Sequence, residues 1–153
     1  MQRLGVSALT GLVGLIAGLG SAQDGGPWRV ISDPKFATVV AYDTTRVTRL
    51  PHGRAEVWER FMLHPARHDP TGDVGSIIMR VIVDCQAQQS ALRSIARYAP
   101  GGKLISQTPT YSVRDDDFTD EIEGSVDASA LAGLCAALHI GHAAAGPPAP
   151  PAD

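Results

Sequence analysis

Hydrophobic and polar residues alternate with a period of two along much of the chain, a pattern typical of strands with one buried face. The clearest example is the segment from Ser76 to Cys85, whose odd positions are apolar or cysteine and whose even positions include Arg80 and Asp84. The same alternation predicts strands at 28–31, 38–42, 46–50, 54–63 and 89–98. Because these strands are short and joined by turns, they favour antiparallel pairing over crossover connections.

The last ordered segment has a different period. From Val126 to His139, one stripe at helical spacing carries the apolar residues Leu131, Leu134, Cys135 and Leu138. Ser125 is a good N-terminal cap, and Gly141 suits the C-terminal stop. The predicted fold class is therefore α+β, with one curved antiparallel sheet and a C-terminal helix packed across it.

The N-terminus has the order of features that marks an exported protein. Arg3 supplies a positive charge, Leu4–Gly20 is an uncharged apolar run, and small residues end at Ala22. The alternative, an uncleaved membrane anchor, needs about 20 predominantly apolar residues, whereas this run is shorter and interrupted by glycines. We predict a signal peptide over residues 1–22, with no membrane span after cleavage. The chain would reach the periplasm, the cell surface or the medium, and no cysteine lies near the cleavage site to carry a lipid.

The C-terminal residues 143–153 are rich in proline and alanine and predict a disordered tail. The chain has 153 residues, so the segment left between the leader and the tail, residues 23–142, fits one domain. The formal net charge is −3, from 13 basic and 16 acidic residues. This balance argues against a nucleic-acid partner, which usually meets a concentrated basic face.

Two cysteines remain after the leader, Cys85 on a strand and Cys135 on the helix, and each lies on the face turned towards the core. Export places them in an oxidising compartment, where paired thiols form disulfides. The alternatives are a metal pair or a redox pair. There is no Cys-x-x-Cys spacing, and no histidine lies close in sequence to Cys85. We predict a structural disulfide that ties the helix to the sheet.

The order of short motifs along the chain resembles the surface-adhesin protein E family of Gram-negative bacteria. The residues that carry this resemblance are Trp28, Tyr42-Asp43, Val47, Val57-Trp58, Asp84-Cys85, Gly124-Ser125 and Leu134-Cys135. The resemblance implies a sheet of about six antiparallel strands with a disulfide-tied C-terminal helix. It also implies a protein partner, of the kind of the host matrix proteins vitronectin and laminin.

Two clusters contain residues that bind metals elsewhere. His64, His68, Asp69 and Asp73 offer zinc ligands, but flanking prolines argue against one helical face, and we interpret the segment as a solvated turn. A second cluster offers calcium ligands but lacks the spacing and glycine of an EF-hand loop, so we interpret it as a solvated loop. Its acidic residues are Asp115, Asp116, Asp117, Asp120, Glu121 and Glu123.

Arginines occupy polar positions of the predicted strands. They are Arg46, Arg54, Arg60, Arg80, Arg93 and Arg97. They can form a basic strip on the outer face of the sheet that binds an acidic partner, or they can simply keep an exposed sheet soluble. Gly101-Gly102-Lys103 lacks the phosphate-loop pattern and predicts a hairpin turn.

These observations predict a non-catalytic exported cell-envelope protein that binds a protein partner, as the family resemblance implies. The sequence offers no catalytic residues, no cofactor and no metal ligands that we would assign, and its assigned site residues are the disulfide pair Cys85 and Cys135. One alternative is a periplasmic metal-dependent enzyme that brings His64 and His68 together with the acidic segment 115–120. Another is an accessory component of an envelope complex.

Overall fold

A computed structural model describes residues 26–140 as one antiparallel sheet with a single C-terminal helix. The predicted α+β class is confirmed. The predicted signal peptide (1–22) and Pro/Ala-rich tail (143–153) lie outside the described residues.

The sheet has seven strands, and six of them follow one another in space in the same order as in the chain. The strands are β1 (Trp28–Val30), β2 (Val39–Leu50), β3 (Arg54–Asp69), β4 (Gly72–Asp84), β5 (Gln89–Tyr98), β6 (Leu104–Gln107) and β7 (Thr119–Asp120). The short strand β7 pairs with β5. All pairings are antiparallel, which is the meander that short strands and tight turns favour.

Strand β2 joins two segments that the sequence predicts as separate strands. The register with β3 shifts between Tyr42 and Val47, where the Asp43 carboxylate accepts hydrogen bonds from the backbone N and the hydroxyl of Thr45 at 2.9 and 2.7 Å. Asp43 and Thr45 therefore stabilise a bulge inside one strand, not the turn that their residue types predict.

Strand β3 also runs further than predicted. It continues to Asp69 and pairs with β4 as far as Gly72. The interpretation of His64–Asp69 as a turn is wrong, although residues 64–68 are exposed as expected. The pairing survives because a register shift between Met62 and Arg67 accommodates the irregular segment.

Helix α1 spans Val126–Leu138 and begins where the sequence predicts. The Ser125 hydroxyl accepts a hydrogen bond from the Ala128 backbone N at 3.0 Å, which satisfies one of the free donors of the first turn. At the other end His139 is the C-cap in the left-handed conformation, with φ of 54°. The predicted stop, Gly141, lies outside the described residues.

One face of the sheet packs on α1 and forms the core. The buried helix residues Leu131, Leu134 and Leu138 contact sheet residues that include Val57 and Val83. The predicted disulfide is present, since Cys85 and Cys135 are joined with their Cα atoms 5.6 Å apart.

Helix α1 also approaches the backbone closely at Gly133. A Cβ atom at this position would lie 2.2 Å from the Ile31 carbonyl oxygen, so only glycine fits there. No helix among residues 26–140 has the length and apolar character needed to cross a membrane.

Candidate functional site: the arginine–tryptophan face

Helix α1 covers one face of the sheet, and we call the opposite face the open face. Side chains alternate between the two faces of a strand. On β3, Ala55 and Val57 pack in the core beneath α1, so Glu56, Trp58 and Arg60 lie on the open face. The aligned registers of β2, β4 and β5 add further residues to the centre of this face. We define the arginine–tryptophan face as Trp28, Arg46, Glu56, Trp58, Arg60, Arg80 and Arg93.

Three arginines of this face stack on its two tryptophans. The Arg46 guanidinium carbon lies 4.6 Å from the centre of the Trp58 ring and 5.8 Å from that of Trp28. The guanidinium carbon of Arg60 lies 5.9 Å from the centre of the Trp28 ring, and that of Arg80 lies 5.9 Å from the centre of the Trp58 ring. All four distances are within the range of cation–π attraction. The stacking therefore holds these arginines against the sheet.

Arg46 is also anchored by the bulge of β2. Its Nε donates a hydrogen bond of 2.6 Å to the buried carboxylate of Asp43. Burial pushes the pKa of Asp43 upwards, but hydrogen bonds from Thr45 and Arg46 outweigh it and hold that pKa below its usual range. The side chain that creates the bulge thus also orients an arginine over Trp58.

Glu56 is shared by two arginines. It accepts hydrogen bonds from Arg80 of β4 and from Arg93 of β5, the latter at 2.8 Å. The register between β4 and β5 shifts between Arg80 and Val81, and the extra residue in β5 is Arg93. The irregularity turns Arg93 towards Glu56, so two positive charges share one negative charge.

Arg60 has no such partner among residues 26–140. Its Nε atom is buried and lacks a hydrogen-bond partner within the described part of the chain. A buried guanidinium nitrogen without an acceptor is unusual, since buried polar groups are normally paired. Among the arginines of this face, Arg60 is the one that no carboxylate of residues 26–140 holds in an ion pair.

The segment that follows β6 covers the part of the open face around Arg54. Arg54 donates to Asp84 at 2.9 Å and to Asp115 at 2.8 Å, and lies 4.4 Å from the centre of the Phe118 ring. Burial pushes the pKa of Asp84 upwards, while backbone hydrogen bonds from Ala87 and Gln86 and the Arg54 contact lower it below its usual range. Arg54 is thereby fully engaged in internal contacts.

Five of the six arginines singled out from the sequence thus lie on the open face. The exception is Arg97, which pairs with Ile77 of β4 and lies on the helix side of the sheet. Its face follows from the irregular register of β5, which alternation along a single strand does not reveal.

The two candidate metal clusters do not assemble. His68 contacts Asp73 at 2.9 Å across the β3–β4 hairpin, with both side chains exposed. Asp115 binds Arg54, while Asp116 and Asp117 contact Arg114. Within residues 26–140, no group of three or more histidine, cysteine, aspartate and glutamate side chains is arranged to hold a metal ion.

The segment Gly101-Gly102-Lys103 forms the turn between β5 and β6, as predicted. Gly102 has a positive φ of 80°, and its backbone N donates to the Ala99 carbonyl at 2.8 Å. A glycine is favoured here because the turn requires this left-handed conformation.

Glu59 was not singled out from the sequence, although a signal was available. It follows Ala55 and Val57 on the core side of β3, and its side chain is only 6 % exposed. Burial, followed by the nearby charges of Asp127 and Glu121, raises the pKa of Glu59 to about 7. A carboxyl at a core position of an alternating strand is the pattern that identifies such a residue.

No protein-family model, no curated protein and no solved structure matches this chain.

Proposed function

We propose that this chain is a non-catalytic binding module exported to the cell envelope, and that its arginine–tryptophan face binds an acidic surface of a protein partner. The observation that carries the proposal is the excess of arginine on this face. Four arginines lie on this face, Arg46, Arg60, Arg80 and Arg93, and the carboxylates that pair with them within residues 26–140 are Glu56 and the neighbouring Asp43.

The local excess is opposite in sign to the whole chain, whose formal net charge is −3. A concentrated positive region on an acidic protein favours association with a negatively charged surface and orients the encounter. Scattered surface arginines that only confer solubility would not be expected to converge on two tryptophans.

The arginines are also held in place before any partner binds. Arg80 and Arg93 have side chains only 30 % and 25 % exposed, and Arg46 is fixed by Asp43 and Trp58. Binding to such a surface loses less side-chain entropy than binding to freely moving arginines. Arginine and tryptophan are also the residue types that contribute most strongly at protein interfaces.

Two further observations support the location and the kind of partner. The Cys85–Cys135 disulfide is typical of an oxidising compartment, in keeping with the leader expected at residues 1–22. The resemblance to the surface-adhesin protein E family makes vitronectin and laminin the first partners to test.

The test measures binding of the exported chain, residues 23–153, to immobilised vitronectin, laminin and polyglutamate. We expect binding to an acidic partner to weaken as salt rises, and Arg60→Glu to lower affinity by about tenfold or more. Arg60→Gln should lie in between, because it removes the charge without reversing it. Arg97→Glu, which makes the same change on the opposite face, should leave binding unchanged.

Binding that Arg60→Glu does not weaken would exclude this face as the binding surface. Failure to bind any of the three probes would refute the proposal. A stoichiometric metal ion bound through His64 and His68 in the purified protein would replace it with the metal-dependent enzyme.

A further inference from the structure

A second unusual feature lies on the other side of the sheet, beneath α1. The Glu59 side chain is 94 % buried, since only 6 % of its surface is exposed. Burial and two neighbouring acids raise the pKa of its carboxyl group, and no hydrogen-bond donor within residues 26–140 lowers that pKa. An unpaired buried carboxyl is costly, and the few found in folded proteins require an explanation.

Glu59 lines a small cavity of about 40 Å³ between β3, β4 and α1. Glu121 and Asp127 line the same cavity, and its remaining wall is mostly apolar, including Met79, Val81 and Leu131. Among the described residues, no lysine, arginine or histidine lines it. Three carboxyl groups therefore line one space: the buried Glu59, the partly buried Glu121, which accepts a hydrogen bond from the Ser90 hydroxyl, and the exposed Asp127.

A larger cavity of about 380 Å³ lies beside the small one, and the two share Phe61 and Asp127 in their walls. Its lining combines the apolar side chains of Leu63, Ile77 and Val126 with the exposed residues His64 and Arg67. Its walls are therefore part apolar and part polar, and a volume of this size is typical of sites for small organic ligands.

We propose that these adjoining cavities bind an organic amine, with its ammonium group beside Glu59, Glu121 and Asp127 and its apolar body against Phe61, Leu63, Ile77 and Val126. The proposal is independent of the arginine–tryptophan face, which lies on the opposite side of the sheet.

The geometry favours an ammonium group over other cations. The carboxyl groups are not arranged to coordinate a metal ion, whereas an ammonium needs only nearby acceptors because it donates up to three hydrogen bonds. A space of about 40 Å³ accommodates a compact group of the size of one or two water molecules. The planar guanidinium is larger and demands a fixed fork of acceptors.

Binding of a cation should also release a proton. Burial and the two acids beside it raise the pKa of Glu59 to about 7, and burial followed by Glu121 raises that of Asp127. The other titratable side chain beside Glu59 is Tyr42, its register partner on β2. An ammonium opposite Glu59 would favour the ionised carboxylate, so protons leave as the amine binds near pH 6.

The test is calorimetry of hexylamine binding to the exported chain at pH 6, in two buffers with different enthalpies of protonation. We expect saturable binding with net proton release. Hexan-1-ol and hexanoate serve as probes of the same length without the positive charge, and they should bind at least about tenfold more weakly.

Glu59→Gln should weaken hexylamine binding by about tenfold or more and reduce the proton release. Glu123→Gln is the matched control, because Glu123 is exposed and lines neither cavity, and it should bind as the unsubstituted chain does. Arg60→Glu should also retain binding, which separates this site from the open face. Absence of saturable binding, equal binding of hexan-1-ol, or undiminished binding by a folded Glu59→Gln variant would overturn the proposal.

Discussion

Two glutamates three positions apart on β3 illustrate how much the face of a strand decides. Glu56 lies on the open face and accepts hydrogen bonds from Arg80 and Arg93. Glu59 lies on the core face, where burial and the neighbouring acids Asp127 and Glu121 raise its pKa. A glutamate side chain is thus part of an ionic network on one face of the strand, and on the other face it is a buried carboxyl group without a neighbouring positive charge among the described residues.

The burial of Glu59 predicts a pH-dependent stability. Its pKa in the folded protein is about 7, against an ordinary value of 4.5, so the folded state binds the proton more tightly than the unfolded state. Folding stability is therefore highest below pH 4.5 with respect to this group, falls as the pH rises towards 7, and is lowest above that. The full difference corresponds to roughly 3 kcal/mol.

Glu59→Gln removes this dependence, because the amide does not ionise. We expect the substitution to stabilise the protein at pH 8.5 and to have little effect at pH 4.5, as measured by urea denaturation at both values. Glu123→Gln should change stability little at either pH. An equal effect of Glu59→Gln at the two pH values would contradict a protonated Glu59.

At the scale of the elements, α1 is attached to the sheet by a covalent bond at Cys135 and by a close backbone approach at Gly133. Both attachments involve the face of the helix that packs on the core. They restrict how far α1 can shift. The walls of the two adjoining cavities beneath α1 depend on the position of the helix, because Val126, Asp127 and Leu131 belong to it.

Loss of the disulfide should lower stability substantially. It joins residues 50 positions apart, and closing a loop of this length contributes roughly 4 kcal/mol in the chain-entropy description. A reductant should therefore lower the melting temperature of the unsubstituted chain. The double variant Cys85→Ser, Cys135→Ser should melt at a similarly lowered temperature and be insensitive to reductant. An unchanged melting temperature would show that the bridge contributes little.

Gly133→Ala should destabilise the protein, although alanine is the better helix former. The added Cβ would meet the Ile31 carbonyl oxygen at 2.2 Å, so α1 must move away from the backbone that follows β1, at a cost of about 1–3 kcal/mol. Gly101→Ala is a suitable comparison, because no atom lies within 4 Å of its added Cβ. Thermal unfolding of the two variants measures the difference, and equal stabilities would refute the close approach.

The elements themselves were largely predictable from the period of the apolar residues. The alternation in β4 and the stripe of α1 place Cys85 and Cys135 on facing surfaces, which is why the disulfide could be anticipated. The bulge of β2 could not, because Asp43 and Thr45 are common turn residues and only pairing with β3 makes them part of one strand. The length of β3 was missed for a similar reason, since Pro65 signals a break that the pairing with β4 overrides.

At the scale of the whole molecule, the sheet separates two sets of charges. The open face carries more arginines than carboxylates, while the cavity beneath α1 collects carboxyl groups without a cation. The formal net charge of −3 conceals this separation. The arginines of the open face were visible in the sequence. The convergence of Glu59, Glu121 and Asp127 was not, because it depends on how the chain after β7 returns to the helix side.

The placement of both tryptophans on one face has a practical consequence for spectroscopy. The chain contains two tryptophans, and Trp28 and Trp58 both lie against arginines of the open face. Intrinsic fluorescence of the folded protein is therefore a label-free signal of that face alone. A protein partner that displaces Arg46 or Arg60 will change the emission, whereas an amine bound beneath α1 will leave it nearly constant, so one emission spectrum distinguishes which side of the sheet is occupied.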